Sequence, residues 1–166
     1  MKIVVFSDSH GLCDYMLAET ARLSEAVTID YIIHLGDLVR DAQILQEKFV
    51  DIPVLCVHGN CDFTSDRSNA NKEKELEIGG KKFFVLHGDT RNVKRSLDNL
   101  KSIAADKDYD MILYGHTHTP YSAYENGTYI INPGAISFNR DSSGTRSYCV
   151  IDITDSGSMQ ANIVRL

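Results

Sequence analysis

Two aspartates, one asparagine and four histidines stand just beyond the ends of short apolar runs in this chain. Lys2–Phe6 leads into Asp8 and His10, Tyr31–Leu35 is followed by Gly36-Asp37, and Val54–Val57 runs through His58-Gly59 to Asn60. Phe83–Leu86 ends at His87-Gly88, and Met111–Tyr114 ends at Gly115-His116-Thr117-His118. The side chains are carboxylate, amide and imidazole donors, with no thiolate required. Mixed nitrogen and oxygen sets of this kind suit Mn, Fe or Zn rather than Ca or an iron–sulfur cluster. Seven donors exceed the need of one tetrahedral ion and suit two ions sharing a bridging carboxylate. Two ions roughly 3.5–4 Å apart can activate a bridging hydroxide and stabilise an in-line displacement at phosphorus.

The apolar runs must then be strands that deliver these donors to one rim, because ligands of open α/β sheets bind beyond the carboxyl ends of the strands. Donors two residues apart at a strand end can point the same way, which pairs Asp8 with His10 and His116 with His118. Between the strands, Asp14 reads as an N-cap for a helix over Tyr15–Val27, a stretch free of Gly and Pro. A second helix is expected over Arg40–Phe49, and Pro53 opens the third strand. This alternation predicts parallel βαβ units with right-handed crossovers.

Phe63–Lys72 is polar and turn-rich, which predicts a loop. Gly79-Gly80, between Leu76–Ile78 and Lys82–Leu86, predicts a hairpin. Val93, Leu97, Leu100 and Ala104 recur at i, i+4, i+7 and i+11, a helical period. From Tyr121 onward the pattern is strands alone: Tyr121–Tyr124 and Thr128–Ile131 around Asn126-Gly127, then Ser147–Ile153 and Met159–Val164 around Asp155-Ser156-Gly157. The expected fold is α/β (α+β), with two packed, mainly mixed β-sheets flanked by helices in one domain spanning 1–166.

At 43% hydrophobic and 24% charged residues, the composition is that of an ordinary folded domain rather than a disordered chain. The apolar stretches are strand-sized, too short for a membrane span. The start MKIVVFSDSH lacks the apolar length and cleavage site of a signal peptide, so a cytoplasmic location is expected. Cys13, Cys56, Cys61 and Cys149 show no paired C-x-x-C spacing and are expected as reduced thiols. With a net charge of −6 and basic residues only in short pairs, the chain offers no surface for long nucleic acids. A small phosphoester remains compatible, because bound divalent cations invert the local electrostatics. No G-x-x-x-x-G-K-[ST] loop is present, so a P-loop nucleotide hydrolase is not supported.

The ordered set Asp8-x-His10, Gly36-Asp37, Gly59-Asn60-Cys61-Asp62, His87-Gly88 and Gly115-His116-Thr117-His118 resembles the calcineurin-like metallophosphoesterase family. The short length and the Gly-Asn-Cys-Asp form are similar to its small bacterial and archaeal phosphodiesterase branch, and Asn132-Pro133-Gly134 also fits. The resemblance covers most of the chain and implies the family's β-sandwich flanked by helices. It implies one metal held by Asp8, His10, Asp37 and His118. A second would be held by Asp37, Asn60, His87 and His116, with Asp37 bridging. It further implies phosphodiester cleavage by a metal-bridging hydroxide, with manganese as activator and Ni, Fe, Zn or Mg as other candidates.

One position departs from the commoner family pattern, in which a His following the motif Asn assists the leaving group. Here that position is Cys61, and a neutral thiol is a poor proton donor without positive charge. Esters with good, low-pKa leaving groups are therefore expected as the better substrates. Catalytic roles are assigned to Asn60 as a phosphate-oxygen donor, and to His10 and Cys61 at the leaving group. Asp62 is placed with these catalytic residues, either forming a turn or orienting a ligand, and His34 and His58 are expected to support the site or the core rather than bind metal.

The expected activity is a divalent-metal-dependent phosphodiesterase acting on a small phosphoester at an open site, as a possible homodimer or higher homo-oligomer. The alternatives are a phosphomonoesterase or nucleotide hydrolase with the same centre, or a non-catalytic metal-binding interaction scaffold.

Overall fold

Both faces of the first strand, β1 (Lys2–Phe6), are apolar: Ile3 and Val5 enter one core, Val4 and Phe6 another. A strand buried on both sides belongs in the middle of a layered structure. The computed structural model, which describes residues 1–62 and 71–166, places it there. In chain order β1 is followed by α1 (Cys13–Ala26), β2 (Tyr31–His34), α2 (Val39–Lys48), β3 (Val54–Cys56), β4 (Glu73–Ile78) and β5 (Lys81–Leu86). A 3-10 turn (Asp89–Arg91), α3 (Asp98–Asp106), β6 (Met111–Leu113), β7 (Tyr121–Glu125), β8 (Thr128–Asn132), β9 (Ser147–Ile153) and β10 (Met159–Arg165) complete it.

The strands form two five-stranded mixed sheets, ordered β10-β9-β1-β2-β3 and β4-β5-β6-β8-β7. Ile3, Val5, Ile33 and Leu35 from the first meet Phe83, Val85, Leu113 and Ile131 from the second in the core between them. Each such side chain, fully buried, contributes about 1.5–3 kcal/mol. Outside the first sheet, Met16 of α1 and Leu45 of α2 cover Val4, Phe6 and Ile32. Outside the second, Leu100 and Ala104 of α3 cover Phe84, Leu86, Ile112 and Ile130. This is the expected arrangement of two mixed sheets flanked by helices.

Several local expectations are corrected. The two strand pairs at the end of the chain form as expected but divide between the sheets: β7 and β8 join the second, whereas β9 pairs antiparallel with β1 (Ile3 opposite Ile151) and carries β10 to the edge. The reason is visible in β9, where every residue except Asp152 is buried, so it needs a partner on each side. The helix expected across Val93–Ala104 starts only at Asp98. Asn92 turns at φ +60°, and Val93 is buried with its Cγ2 just 2.7 Å from where a Cβ on Gly88 would sit. Asp14 is not a cap but lies in the first turn of α1, whose preceding residue Leu12 makes no capping bond. There its charge suits the helix dipole.

The two hairpin turns hold: Gly79-Gly80 and Asn126-Gly127 all have positive φ, as primed turns require. Apart from Asn71 and Lys72, the loop expected over Phe63–Lys72 lies outside the described residues. The four cysteines are free. Among the described residues no helix is long and apolar enough to cross a membrane.

Candidate metal centre

Beyond the ends of β1, β2, β3, β5 and β6 the backbone turns sharply enough to gather all seven donors. Asp8, His10, Asp37, His116 and His118 have φ between +49° and +66°. That left-handed region is sparsely used outside glycine, with Asp, Asn and His the readiest to enter it. The turns lock onto one another through backbone bonds from Asp8 N–H to Gly36 O (3.2 Å), His10 N–H to Asp37 O (3.2 Å) and Gly115 N–H to His87 O (2.9 Å). Two glycines are required by close approach. A Cβ on Gly115 would lie 2.0 Å from Ser7 Oγ, and one on Gly59 would lie 2.2 Å from Asp37 Oδ1.

The donors form two adjoining groups. In the first, His118 Nε2 lies 3.2 Å from Asp8 Oδ1 and 3.1 Å from His10 Nε2. In the second, His87 Nε2 lies 3.1 Å from His116 Nδ1, 3.3 Å from Asn60 Oδ1 and 3.4 Å from Asp37 Oδ2. The same Asp37 oxygen is 3.8 Å from His10 Nε2, so it faces both groups. Donors about 3–3.4 Å apart are what a single ion with bonds of about 2.0–2.2 Å imposes on its ligands.

Hydrogen bonds around the donors leave the right lone pairs free. Nδ1–H of His87 donates to Leu35 O (2.7 Å) and Nδ1–H of His118 to Phe138 O (3.1 Å), turning both Nε2 atoms toward the centre. Asp8 Oδ2 accepts from Ser7 Oγ–H (2.6 Å) and His116 N–H (3.0 Å), while its Oδ1 is buried without any hydrogen bond. A buried carboxylate oxygen with no donor, facing imidazole lone pairs, fits a cation.

The electrostatics agree. Burial pushes the Asp8 and Asp37 carboxyls up, but the neighbouring imidazoles, His118 and His87 for Asp8 and His87 for Asp37, outweigh it when they carry an added proton and hold both below the usual range. Burial opposes charge on His87, yet Asp37 and Asp8 raise its pKa. His116 is pushed down to about 4 by burial and by His87. Burial and the Asp37 charge push the Cys61 thiol up to about 11.

Asp8, Asp37, His87 and His118 form a buried floor, whereas His10 and Asn60 are exposed and His116 and Cys61 half-buried. Cys61 Sγ lies with His10 and Asp37 in a third grouping, each ligand atom within 4.8 Å of the others. Asn60 Nδ2 donates to that sulfur at 3.3 Å. The Asp62 carboxylate accepts from the backbone N–H groups of Gly59 (2.7 Å), Val39 (2.7 Å) and Asp37 (3.1 Å), which ties the segment after β3 to the one after β2.

His34 is wholly buried. It accepts from Gly36 N–H (3.3 Å), so its Nε2–H donates to Ser9 Oγ (3.0 Å), which in turn reaches Asp37 O (3.3 Å). His58 is half-buried, with its backbone N–H bonded to Asn71 O (3.0 Å).

Sequence reasoning passed over several supporting residues. Ser137 Oγ–H donates to Asp8 O (2.5 Å), and Asp41 Oδ2 accepts from Gly11 N–H (2.8 Å). Ser7 and Ser9, flanking Asp8, are the ones with a local signal. Asn132, noted only as part of a motif, donates to Gly115 O (2.8 Å) and Thr117 Oγ1 (3.0 Å) and so braces the His116–His118 turn.

Comparison with known proteins points the same way. The family model described as the calcineurin-like phosphoesterase superfamily domain matches residues 1–156. The chain is 33% identical over 153 residues to a Bacillus subtilis protein named probable metallophosphoesterase YsnB, covering 92% of this chain and 85% of that one. It is 26% identical to a Methanocaldococcus jannaschii protein named a phosphodiesterase, covering 81% of this chain and 83% of that one. The crystal structure of a predicted phosphoesterase from Streptococcus pneumoniae TIGR4 superposes with a TM-score of 0.78 at 28% identity, covering 99% of this chain and 88% of that one. With its rim of seven donors on two mixed sheets, the chain belongs to the calcineurin-like phosphoesterase superfamily.

Proposed function

We propose that the protein hydrolyses phosphodiesters at a centre of two divalent ions, with Mn2+ as the working metal. The observation that carries this reading is the Asp37 carboxylate, whose Oδ2 faces His10 at 3.8 Å and His87 at 3.4 Å and so belongs to both donor groups. Asp8, His10, Asp37 and His118 would hold one ion, and Asp37, Asn60, His87 and His116 the other. When bound, the ions supply Lewis-acid activation of water and of the phosphoryl oxygens.

The residues contribute the rest. The buried floor excludes water from the inner side, and Asp62 holds the Asp37 and Gly59 backbones in place. The Asn60 amide, on the exposed side, is available to a phosphoryl oxygen. His10 and Cys61 face the leaving group, where a thiol lacks the positive charge that an imidazolium would bring. Exposure of His10 and Asn60 leaves room for both arms of a diester. The name of the M. jannaschii relative supports the same substrate class.

The test is to strip the protein of metal and reconstitute it with Mn, Ni, Zn, Fe or Mg. Each form is then assayed on an aryl diester, an aryl monoester and a cyclic nucleotide. Two equivalents of Mn2+ should bind, with kcat/KM at least about tenfold higher for the diester than for the monoester. A monoester preference would overturn the diester reading. Two bound ions with no turnover of any ester would make the protein a metal-binding scaffold.

A further inference from the structure

Arg146 is held in an unusual way beside this centre. Arg22, Arg91 and Arg165 each carry a carboxylate partner, namely Glu19, Glu73 and Asp141, and Arg40, Arg95 and Arg140 are exposed, whereas Arg146 is half-buried. The Arg146 side chain has no hydrogen-bond or ion-pair partner among the described residues, and its Nε is shielded from water without an acceptor. It lies against two aromatic rings from distant parts of the chain. Its Cζ is 4.0 Å from the ring centre of Tyr15, at the start of α1, and 5.1 Å from that of Phe138, in the loop after β8. A guanidinium on ring faces gains cation–π attraction while its N–H groups stay available.

Both rings are also open to solvent. Phe138 is 54% exposed and Tyr15 39%, which makes an apolar surface beside a positive charge. The patch borders the first donor group. The Phe138 carbonyl accepts the Nδ1–H bond of His118 at 3.1 Å, and Tyr15 follows His10 by five residues. A planar apolar surface with an unpaired cation, next to a phosphoryl-transfer centre, suits an ester arm that carries an aromatic ring near a phosphoryl oxygen. Aromatic stacking of a base is worth about 1–3 kcal/mol, or roughly 5–150-fold in affinity.

We propose that Tyr15, Arg146 and Phe138 form a substrate platform that selects phosphodiesters whose retained, non-leaving arm is aromatic, a nucleoside or an aryl group. Phe138 stacks on the ring and Arg146 meets the anionic oxygen. The proposal rests on the metal-centre reading above and names the substrate class of that same site.

The test uses three p-nitrophenyl diesters with one leaving group and different second arms: methyl, phenyl and thymidine-5′. On the Mn2+-loaded protein, kcat/KM should favour the phenyl and thymidine arms over methyl by tenfold or more, chiefly through KM. That ratio should fall below threefold in Phe138→Ala and in Arg146→Gln. A preference confined to thymidine would identify a nucleoside arm, and one shared with phenyl an aryl-selective platform.

In parallel, calorimetry on the loaded protein compares thymidine 5′-monophosphate with ribose 5-phosphate. The nucleotide should bind at least fivefold tighter, and Phe138→Leu should erase most of that difference. Equal binding of the two phosphates, or selectivity unchanged in all three variants, would overturn the platform. If no diester is cleaved yet the calorimetric selectivity holds, the catalytic reading fails and the platform stands.

Discussion

Asp8 Oδ1 and His118 Nε2 lie 3.2 Å apart, and with the Nδ1–H of His118 committed to Phe138 O, a neutral His118 has no proton to place between them. Two acceptors pressed together in a buried site are a local destabilisation that a cation removes. Asp8→Asn should therefore act in opposite directions on two measurements. Its amide can keep the Ser7 and His116 contacts through oxygen and donate to His118 through nitrogen, stabilising the metal-free protein by about 1 kcal/mol. The wild type should gain about 2.7 kcal/mol from Mn2+ at a hundred times its Kd, and the variant much less. Urea melts with and without chelator read both changes.

The Cys61 thiol should be sluggish. With its pKa pushed up to about 11, the metal-free protein holds little thiolate at pH 8. Iodoacetamide labelling of Cys61, followed by peptide mass, should run about a hundredfold slower than for an ordinary thiol. In the loaded enzyme, log kcat/KM should fall steeply as leaving-group pKa rises, and Cys61→His should flatten that slope by supplying a better acid. A flat line for the wild type would remove the argument.

His34 sets an acid limit. Burial holds its pKa down at about 4, below the 6.5 of an unfolded histidine. Above pH 6.5 neither state takes the proton and the full stability is present. As pH falls from 6.5 toward 4 the unfolded chain protonates first, so stability is lost, by up to about 3 kcal/mol. Metal-free His34→Gln should lose its hydrogen-bond contribution at pH 7 but show a shallower decline toward pH 4. Identical slopes in the two proteins would contradict the assignment.

Gly115→Ala should damage fold and site together. The added methyl would sit 2.0 Å from Ser7 Oγ and 3.0 Å from Asp8 Oδ2, where neither the turn nor the carboxylate has space. Overpacking of this kind costs about 1–3 kcal/mol. Gly127→Ala is the control, because its Cβ would meet nothing within 4 Å. Its φ of +86° brings backbone strain alone. Only the Gly115 variant should also weaken Mn2+ binding by calorimetry.

The donor set was legible because each member follows an apolar run, and the strand-end position survives any error in the helices between. Sheet membership was not. Whether β9 joins β1 or β8 depends on partners far away in the chain, and alternation alone cannot choose between them. Val93 and Leu97 matched a helical period because they point into the same core as Leu100 and Ala104, although the backbone reaches them through a turn. The turn-forming or orienting role expected for Asp62 was legible from its motif, but its partners and the support given by Ser137 were not, because those bonds go to main-chain atoms that the sequence does not label. Arg146 carried no signal, since its partners Tyr15 and Phe138 sit far from it in the chain and none of the three belongs to a motif.

The left-handed turns at five of the seven donors have a consequence for how this protein can change. Glycine at Asp8, His10, Asp37, His116 or His118 would relax the backbone, each such position storing of order 1 kcal/mol or more in a side-chain-bearing residue. Drift toward a sturdier molecule therefore runs through loss of the centre, and a variant library screened only for heat resistance should discard these side chains. A chain that keeps aspartate and histidine at all five positions holds chemistry in places where the fold by itself would favour none.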